Sequence, residues 1–452
     1  MSAFKAYDIR GVYGKDFTAE TVYRIGRELP SLLNASRVLV GRDARPSSPE
    51  IFRALCRGIT EAGAEVDDMG LCTTPMTYYF TGRRGYDAAV MITASHNPTE
   101  YNGLKISRTG ALPVGGDSGL KELEERVMRG GKRRADAAHT PSAAPHSINT
   151  IDVVAEYCDF LKGQLPNLEG LDMAMDCSNG MAALLVHDVF GTLPHYLFDT
   201  IDGTFPNHSP NPLEESATQP LRDYVLEKGL DIGVIFDGDA DRVMFVDERG
   251  RFVRPDLLIA LLAEYYLKRE SGATVLFDVR TSRGVKEAIE RMGGKSYMWK
   301  VGHAFAKVKL RELNAIVGGE LAGHYYFRDF YCCDSAMLCA GIVLGVVAEA
   351  KRYGKTFSRL LADIDVYANT GECNHVIENK REAMEALRAW AGRQGTPTAF
   401  YDFDGYRFEW DDWWFSVRPS NTEPYLRTIC EARTPELLAQ KQREIETILE
   451  KT

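Results

Sequence analysis

A short apolar run that stops at a polar loop and hands over to a helical pattern recurs along this chain, and the recurrence narrows the folds open to it. "RVLVG" (37–41) precedes "SSPEIFRALCRGITEAG", where Ser48 can cap a helix, Pro49 suits its first turn and Glu50 favours the positive end of its dipole. "DAAVMIT" (87–93) is another such run, and so is "LDMAMDCSNG" (171–180), followed by the apolar "MAALLVHDVFG". "ATVLFDV" (273–279) comes before "SRGVKEAIERMGG". Strand-length apolar runs alternating with helical segments are the pattern of α/β domains with mainly parallel strands. At 452 residues the chain is too long for a single core, so several domains are expected.

The tail has a different rhythm. "YRFEW" and "DWWFSV" read as strands of a hairpin, "YLRTICEA" as a further strand, and "TPELLAQKQREIETILEK" as a closing helix with Thr434 as its cap. This is an α+β module over about 365–452. The polar stretch 130–150 and the segment "DERGRFVRPD" (247–256) are boundary candidates. The expected domains are therefore 1–148, 149–250, 251–364 and 365–452.

Composition removes some function classes. The net charge of -10 disfavours nonspecific nucleic-acid binding, while leaving room for local basic pockets that take anionic small molecules. Nine cysteines without a Cys-x-x-Cys pair argue against a disulfide framework or zinc knuckle and fit a reducing compartment. "MSAFKAYDIRG" lacks the apolar core of a signal peptide, and "AMLCAGIVLGVVA" (336–348) is too short to span a bilayer and reads as a buried helix. A cytoplasmic location with no membrane association is the expectation.

Four stretches carry chemistry. In "MITASHNPTEYNGLK" (91–105), Ser95 stands where an apolar run ends, as a nucleophile, a cap or the polar end of a strand. In "DIGVIFDGDADRVMFVDERG" (231–250), Asp237, Asp239 and Asp241 alternate with small residues. In an extended segment they share one face, where mutual repulsion asks for a hard cation such as Mg²⁺ or Ca²⁺. An EF-hand reading has Glu248 at the twelfth position but Arg242 where the loop needs glycine, and its flanks are strand-like. A solvated acidic turn is the bland alternative. In "WWFSVRPSNTEPYLR" (413–427), Arg418, Ser420, Asn421 and Thr422 make either an anion cradle or an ordinary β-turn. In "GGELAGHYYFRDF" (318–330), Glu320 and His324 could hydrogen-bond a polyol or form a capped turn with a structural histidine.

"TASHNP", "DGDADR", "GELAGH" and "RPSNTEP", in this order, resemble the α-D-phosphohexomutase superfamily; so do "AYDIRG", "VGRDARPSS", "YNGLKI", "FPNHSPNPLEE" and "KVGHAFAK". The match spans nearly the whole chain and is nearest to bacterial phosphomannomutases and dual phosphomannomutase/phosphoglucomutases. It implies an α/β fold of four domains around a central cleft: three related domains with mixed or parallel sheets and a C-terminal α+β domain. By the same resemblance Ser95 carries a phosphoryl group, and Asp237, Asp239 and Asp241 hold Mg²⁺ with a phosphoserine oxygen as a further ligand. Arg242 faces the phosphoryl group. Lys105 and His303 handle protons and charge. Tyr7, Arg10 and Arg280 line the cleft, Glu320 and His324 read sugar hydroxyls, and Arg418, Ser420, Asn421 and Thr422 hold the nonreacting phosphate. His208 of "FPNHSPNP" is read as structural.

The implied reaction interconverts mannose 1-phosphate and mannose 6-phosphate through a hexose 1,6-bisphosphate, with glucose or mannose 1,6-bisphosphate as activator. Small hexose phosphates are the expected partners, and the expected assembly is a monomer or homodimer. Ala322 stands where many relatives have serine, which bears on mannose-versus-glucose preference. A phosphoglucomutase or phosphoglucosamine mutase is the alternative within the superfamily. A noncatalytic sugar-phosphate-binding protein is the alternative outside that class.

Overall fold

One strand pattern is built three times. In the computed structural model, which describes residues 3–133, 147–420 and 425–452, the central strand of the first sheet is Arg37–Arg42. Glu65–Leu71 and Ala88–Ile92 run parallel to it on either side, and Tyr101–Arg108 lies antiparallel beyond Ala88–Ile92. In the second sheet Met173–Asp176 is central, His195–Leu197 and Ile232–Phe236 flank it in parallel, and Val243–Asp247 is antiparallel to Ile232–Phe236. The third sheet repeats this with Thr274–Asp278, Lys295–Trp299, Val317–Gly319 and the antiparallel Tyr325–Phe327. Every residue of Ala88–Ile92 and of Ile232–Phe236 is buried. A strand covered on both faces is what a continuous apolar run specifies.

The repeat positions the chemistry. In each unit the connection between the second flanking parallel strand and its antiparallel neighbour carries a motif: residues 93–100 with Ser95, 237–242 with the three aspartates, and 320–324 with Glu320 and His324. At the end of each central strand, or directly after it, stands an aspartate whose Oδ1 accepts the backbone N–H two residues on. The pairs are Asp43 with Arg45, Asp176 with Ser178 and Asp278 with Arg280, at 3.1, 2.8 and 2.7 Å. This turn directs the following side chain to the end of the sheet where the motif loops lie.

Ser48 does not cap its helix. The helix Ser48–Glu61 is preceded by Ser47, which makes no side-chain cap, and the Ser48 hydroxyl donates instead to Asp43 Oδ1 at 2.6 Å. Ser48 is itself the first helical residue, so its hydroxyl is not at the cap position and turns to the buried carboxyl group beside the helix start. The run at 336–348 does fold as a buried helix, Ala336–Arg352. It packs against Pro255–Leu267 of the third unit and against the strands Ile232–Phe236 and Val243–Asp247 of the second, so the two units share one apolar core. Among the described residues, no helix is long and apolar enough to cross a membrane.

The fourth sheet is antiparallel throughout, with Tyr406–Glu409 and Trp413–Pro419 as a hairpin and Tyr425–Ala432 beside the latter. Lys380–Ala391 and Pro435–Leu449 cover it, and Thr434 caps the second helix by accepting from Leu437 N–H. Arg407 fastens this unit to the third. Its buried guanidinium donates to the carbonyls of Val279 and Thr281 at 2.7 and 2.9 Å and lies over the Trp414 ring.

Because Leu344 is fully buried in the shared core, Leu344→Ala should cost about 2–5 kcal/mol. This should appear as a thermal unfolding midpoint several degrees below that of the unaltered protein. An unchanged midpoint would contradict a core continuous across the two units.

Candidate active site

Ser95 follows directly from the end of a buried strand and adopts a left-handed backbone, φ 54°. For a non-glycine residue this costs on the order of 1 kcal/mol or more and needs support from its surroundings. The support is visible. Ser95 N–H donates to Thr93 Oγ1 at 2.9 Å, and Arg45 clamps the loop, with Nη2 donating to the carbonyls of Ser95 and Asn97 and Nη1 to that of Pro98. Arg45 is 1% exposed and paired with Asp43. The Ser95 hydroxyl, also buried, donates to Asp237 Oδ2 at 2.8 Å, which joins the first unit to the second. His96 Nδ1 lies 3.3 Å from the same hydroxyl. Burial and the surrounding cations hold His96 well below the usual imidazole range, so the ring is neutral.

The aspartate segment is a tight turn rather than the extended strand its alternation predicts. Ala240 is left-handed, φ 56°, and the N–H groups of Asp241 and Arg242 fold back onto Asp237 Oδ1. The carboxylates converge all the same: one oxygen each of Asp237, Asp239 and Asp241 lies within 4.8 Å of the others. Gly238 permits the approach to Ser95, because a Cβ there would stand 2.5 Å from the Ser95 carbonyl oxygen. Lys105 Nζ bridges Asp239 Oδ2 and Asp241 Oδ2 at 2.7 and 2.5 Å. Burial alone would lower the Lys105 pKa, but Asp239 and Asp241 raise it above the normal lysine range. Burial and the two neighbouring carboxylates push Asp237 well up, whereas Lys105 draws Asp241 down against its burial.

This arrangement suits a hard divalent cation. Oδ1 of Asp239 and Oδ1 of Asp241 are buried and have no hydrogen-bond partner among the described residues, and all three aspartates offer oxygen ligands. Glu248, the residue an EF-hand would use, instead accepts from the N–H and hydroxyl of Ser358.

The third unit closes over the second. Arg242 Nε donates to His324 Nε2 at 3.0 Å, and Val243 N–H donates to the Gly323 carbonyl. His324 Nδ1 stands 2.6 Å from Asp334, which also pairs with the buried Lys307 at 2.8 Å. Nε2, which accepts from Arg242, is thus the acceptor nitrogen of the ring. Glu320 is turned inward, with Oε1 accepting Gly302 N–H at 2.5 Å and Oε2 accepting the Tyr326 hydroxyl. The carboxylate thereby fixes the turn that starts the helix at His303. His303 stacks beside His324 with 5.7 Å between ring centroids, meets Tyr7 edge-on, and is held well below the usual imidazole range by burial and nearby cations. The Tyr7 hydroxyl donates to the Val301 carbonyl. Arg10 donates to Asp8 and to Asn97 of the serine loop.

A second focus of charge joins the third and fourth units. Arg280 pairs with Asp278 at 2.6 Å and with Glu372 at 3.2 Å, and Arg418 Nη2 donates to the other oxygen of Glu372 at 2.8 Å. Arg418 is 2% exposed, and its Nε is buried without a hydrogen-bond partner among the described residues. Ser420, half-buried, donates its N–H to the Tyr425 carbonyl. Asn421 and Thr422 lie outside the described residues. His208 pairs with the buried Asp176 at 3.2 Å.

Sequence reasoning assigned no roles to Arg45, Thr74, Asp334 or Glu372. Thr74 donates its hydroxyl to Asp239 Oδ2 at 2.5 Å and its N–H to the Asp239 carbonyl at 3.0 Å. The one signal for Arg45 and Arg280 was the shared Asp-x-Arg after two central strands. Gly238→Ala is expected to separate the serine and aspartate loops while leaving the sheets intact. It should weaken binding of Mn²⁺, followed by electron paramagnetic resonance, by about ten-fold or more at an unchanged circular dichroism spectrum. Unaltered Mn²⁺ binding would show that the approach at Gly238 is immaterial to the aspartate site.

Comparison with known proteins agrees with the fold. Family models described as phosphoglucomutase/phosphomannomutase match in order: alpha/beta/alpha domain I over residues 1–134, domain II over 155–250, domain III over 254–367 and the C-terminal domain over 372–448. A phosphomannomutase of Salmonella typhimurium is 34% identical over 459 aligned positions, covering 97% of this chain and 98% of the relative. A protein of Xanthomonas campestris described as phosphohexose mutases is 36% identical, with 99% of each chain covered. The crystal structure of a phosphoglucomutase/phosphomannomutase family protein from Burkholderia thailandensis superposes with a TM-score of 0.88 at 32% identity, covering 99% of this chain and 96% of that one. The chain belongs to the phosphoglucomutase/phosphomannomutase family.

Proposed function

We propose that the protein is a phosphohexomutase that interconverts mannose 1-phosphate and mannose 6-phosphate, and that it accepts glucose phosphates as well. The chain would divide into its four domains near residues 148, 250 and 364. The observation that carries the reading is the buried contact between the Ser95 hydroxyl and Asp237, beside two aspartates with unpartnered oxygens. Full-length relatives named phosphomannomutase support the choice of substrate.

In this reading Ser95 is phosphorylated in the working enzyme, and Asp237, Asp239 and Asp241 hold Mg²⁺ together with a phosphoserine oxygen. The cation supplies charge neutralisation for the transferring phosphoryl group. The chain's own groups do the rest. Arg45 fixes the strained loop so that the serine oxygen cannot drift from the aspartates, which supports in-line transfer. Arg242 and Lys105 bring positive charge toward the group in flight. The 6-hydroxyl of the bound sugar attacks phosphorus, the bond from phosphorus to the serine oxygen breaks, the sugar hydroxyl's proton passes to a neighbouring base, and the released serine oxygen takes up a proton in turn, restoring the hydroxyl that donates to Asp237. His303, held well below the usual imidazole range by burial and stacked beside His324, suits that base, while the Nε2 of His324 is occupied in holding Arg242; Glu320 and Tyr7 shape the turn that carries His303. The product is a hexose 1,6-bisphosphate. It turns end for end and returns its 1-phosphoryl group to Ser95, and the same bisphosphate added from outside would serve as activator. Arg280, Arg418, Ser420, Asn421 and Thr422 hold the phosphate that is not reacting, so binding energy from the remote group supports the chemistry.

Ser95→Ala should fold normally and lose at least about a thousand-fold in kcat in a coupled assay of mannose 1-phosphate with Mg²⁺ and glucose 1,6-bisphosphate. Retained turnover would remove Ser95 from the mechanism. Chelation of divalent cations should abolish the same activity and Mg²⁺ should restore it; turnover indifferent to chelator would detach the aspartates from catalysis. Running glucose 1-phosphate in parallel ranks the two sugars, and activity confined to glucosamine 1-phosphate would replace the proposed substrate.

A further inference from the structure

Glu372 lies in none of the sequence motifs, yet both of its oxygens are engaged by arginines from two different units. Oε1 accepts from Arg418 Nη2 at 2.8 Å, Oε2 accepts from Arg280 Nη1 at 3.2 Å, and Arg427 Nη1 stands 3.8 Å from Oε2. Three guanidinium groups thus face one carboxylate. Arg280 follows the central strand of the third sheet, while Arg418 and Arg427 pair directly across the strands of the fourth. Without a carboxylate between them, Arg280 and Arg418 would repel across the joint between the two units.

The contact also selects which edge of Arg418 is presented. Glu372 takes one terminal nitrogen, Nη2, while Nε is buried and unpartnered among the described residues. A buried donor left in that condition is costly unless an acceptor arrives. The Nε–H, a donor that Glu372 does not take, still calls for an acceptor, and an anion arriving at Arg418 can supply it. Because burial is outweighed by Arg280, Arg418 and Arg427, the Glu372 carboxyl is held down to about 2, and it stays ionised at any working pH.

We infer that Glu372 is a positioning residue for the phosphate cradle: it orients the Arg418 fork and ties it to Arg280, so that the arriving phosphate dianion meets a preorganised pair of guanidinium groups from two units. The inference rests on the proposed role of Arg418 as a phosphate holder. The carboxylate touches no reacting atom, so its effect falls on binding rather than on chemistry.

The test separates the two claims. Calorimetric titration with inorganic phosphate is carried out on the full-length protein, on Arg418→Ala, on Glu372→Gln and on Glu372→Asp. Loss of phosphate binding in Arg418→Ala checks the cradle itself, and binding unchanged in that variant would overturn both claims. With the cradle established, Glu372→Gln should raise the dissociation constant for phosphate and the KM for hexose 1-phosphate together by about ten-fold, with kcat altered by less than about two-fold. Glu372→Asp keeps the charge but shortens the reach, so it should fall between Gln and the unaltered protein. A merely structural role would not move phosphate affinity and KM in step at constant kcat. Phosphate affinity in Glu372→Gln equal to or tighter than that of the unaltered protein overturns the inference, as does a fall confined to kcat.

Discussion

Three carboxylates buried within 4.8 Å of one another, at the end of a fully buried strand, set the terms for everything around them. At an effective dielectric of about 20, each ionised pair repels by roughly 3–4 kcal/mol, and desolvation adds to that. The fold answers by importing positive charge from elsewhere. Lys105 comes from the first unit, Arg242 follows the aspartates in the second, and Arg242 is in turn held by His324 of the third. Three sheets that could pack in many relative orientations are drawn to one arrangement by this charge requirement. The same requirement creates the chemistry, because a site that collects cations around buried oxygens is a site that can stabilise a phosphoryl group.

The repeat explains why the parts meet. A sheet that places its motif loop between the same two strands in each of three copies brings three different loops to equivalent edges. Divergence of the loops alone then yields a serine, an acidic turn and a Glu–His turn on one scaffold. The fourth, antiparallel unit adds a feature the others lack, an arginine on a hairpin strand, and it is fastened by Arg407 to the carbonyls that follow the central strand of the third unit. The cradle is thereby referenced to the same strand ends as the rest of the site.

Much of this was legible in the residues. Continuous apolar runs gave the parallel strands, because burial on both faces leaves no alternation to mislead. Asp237, Asp239 and Asp241 stood out because clustered charge after an apolar run is costly and needs an explanation. Local geometry was less legible. Alternation suggested an extended aspartate segment, whereas Ala240 is left-handed and the N–H groups of Asp241 and Arg242 fold the turn back onto Asp237. Ser48 looked like a cap, but its hydroxyl goes to Asp43, a partner set by tertiary structure. Arg45, Thr74, Asp334 and Glu372 act by contact with residues distant in sequence. Apart from the Asp-x-Arg that Arg45 shares with Arg280, nothing in their immediate neighbours distinguishes them from surface charges or turn residues.

The claim on which the account stands is that Ser95 carries the phosphoryl group between sugars. Mass spectrometry of the protein after incubation with Mg²⁺ and glucose 1,6-bisphosphate tests it directly. The account predicts one phosphoryl group, located to the peptide containing Ser95, and its loss to the sugar when excess mannose 1-phosphate is added. A protein that turns over hexose phosphates with Ser95 unmodified throughout, or with the phosphoryl group on another residue, would contradict it.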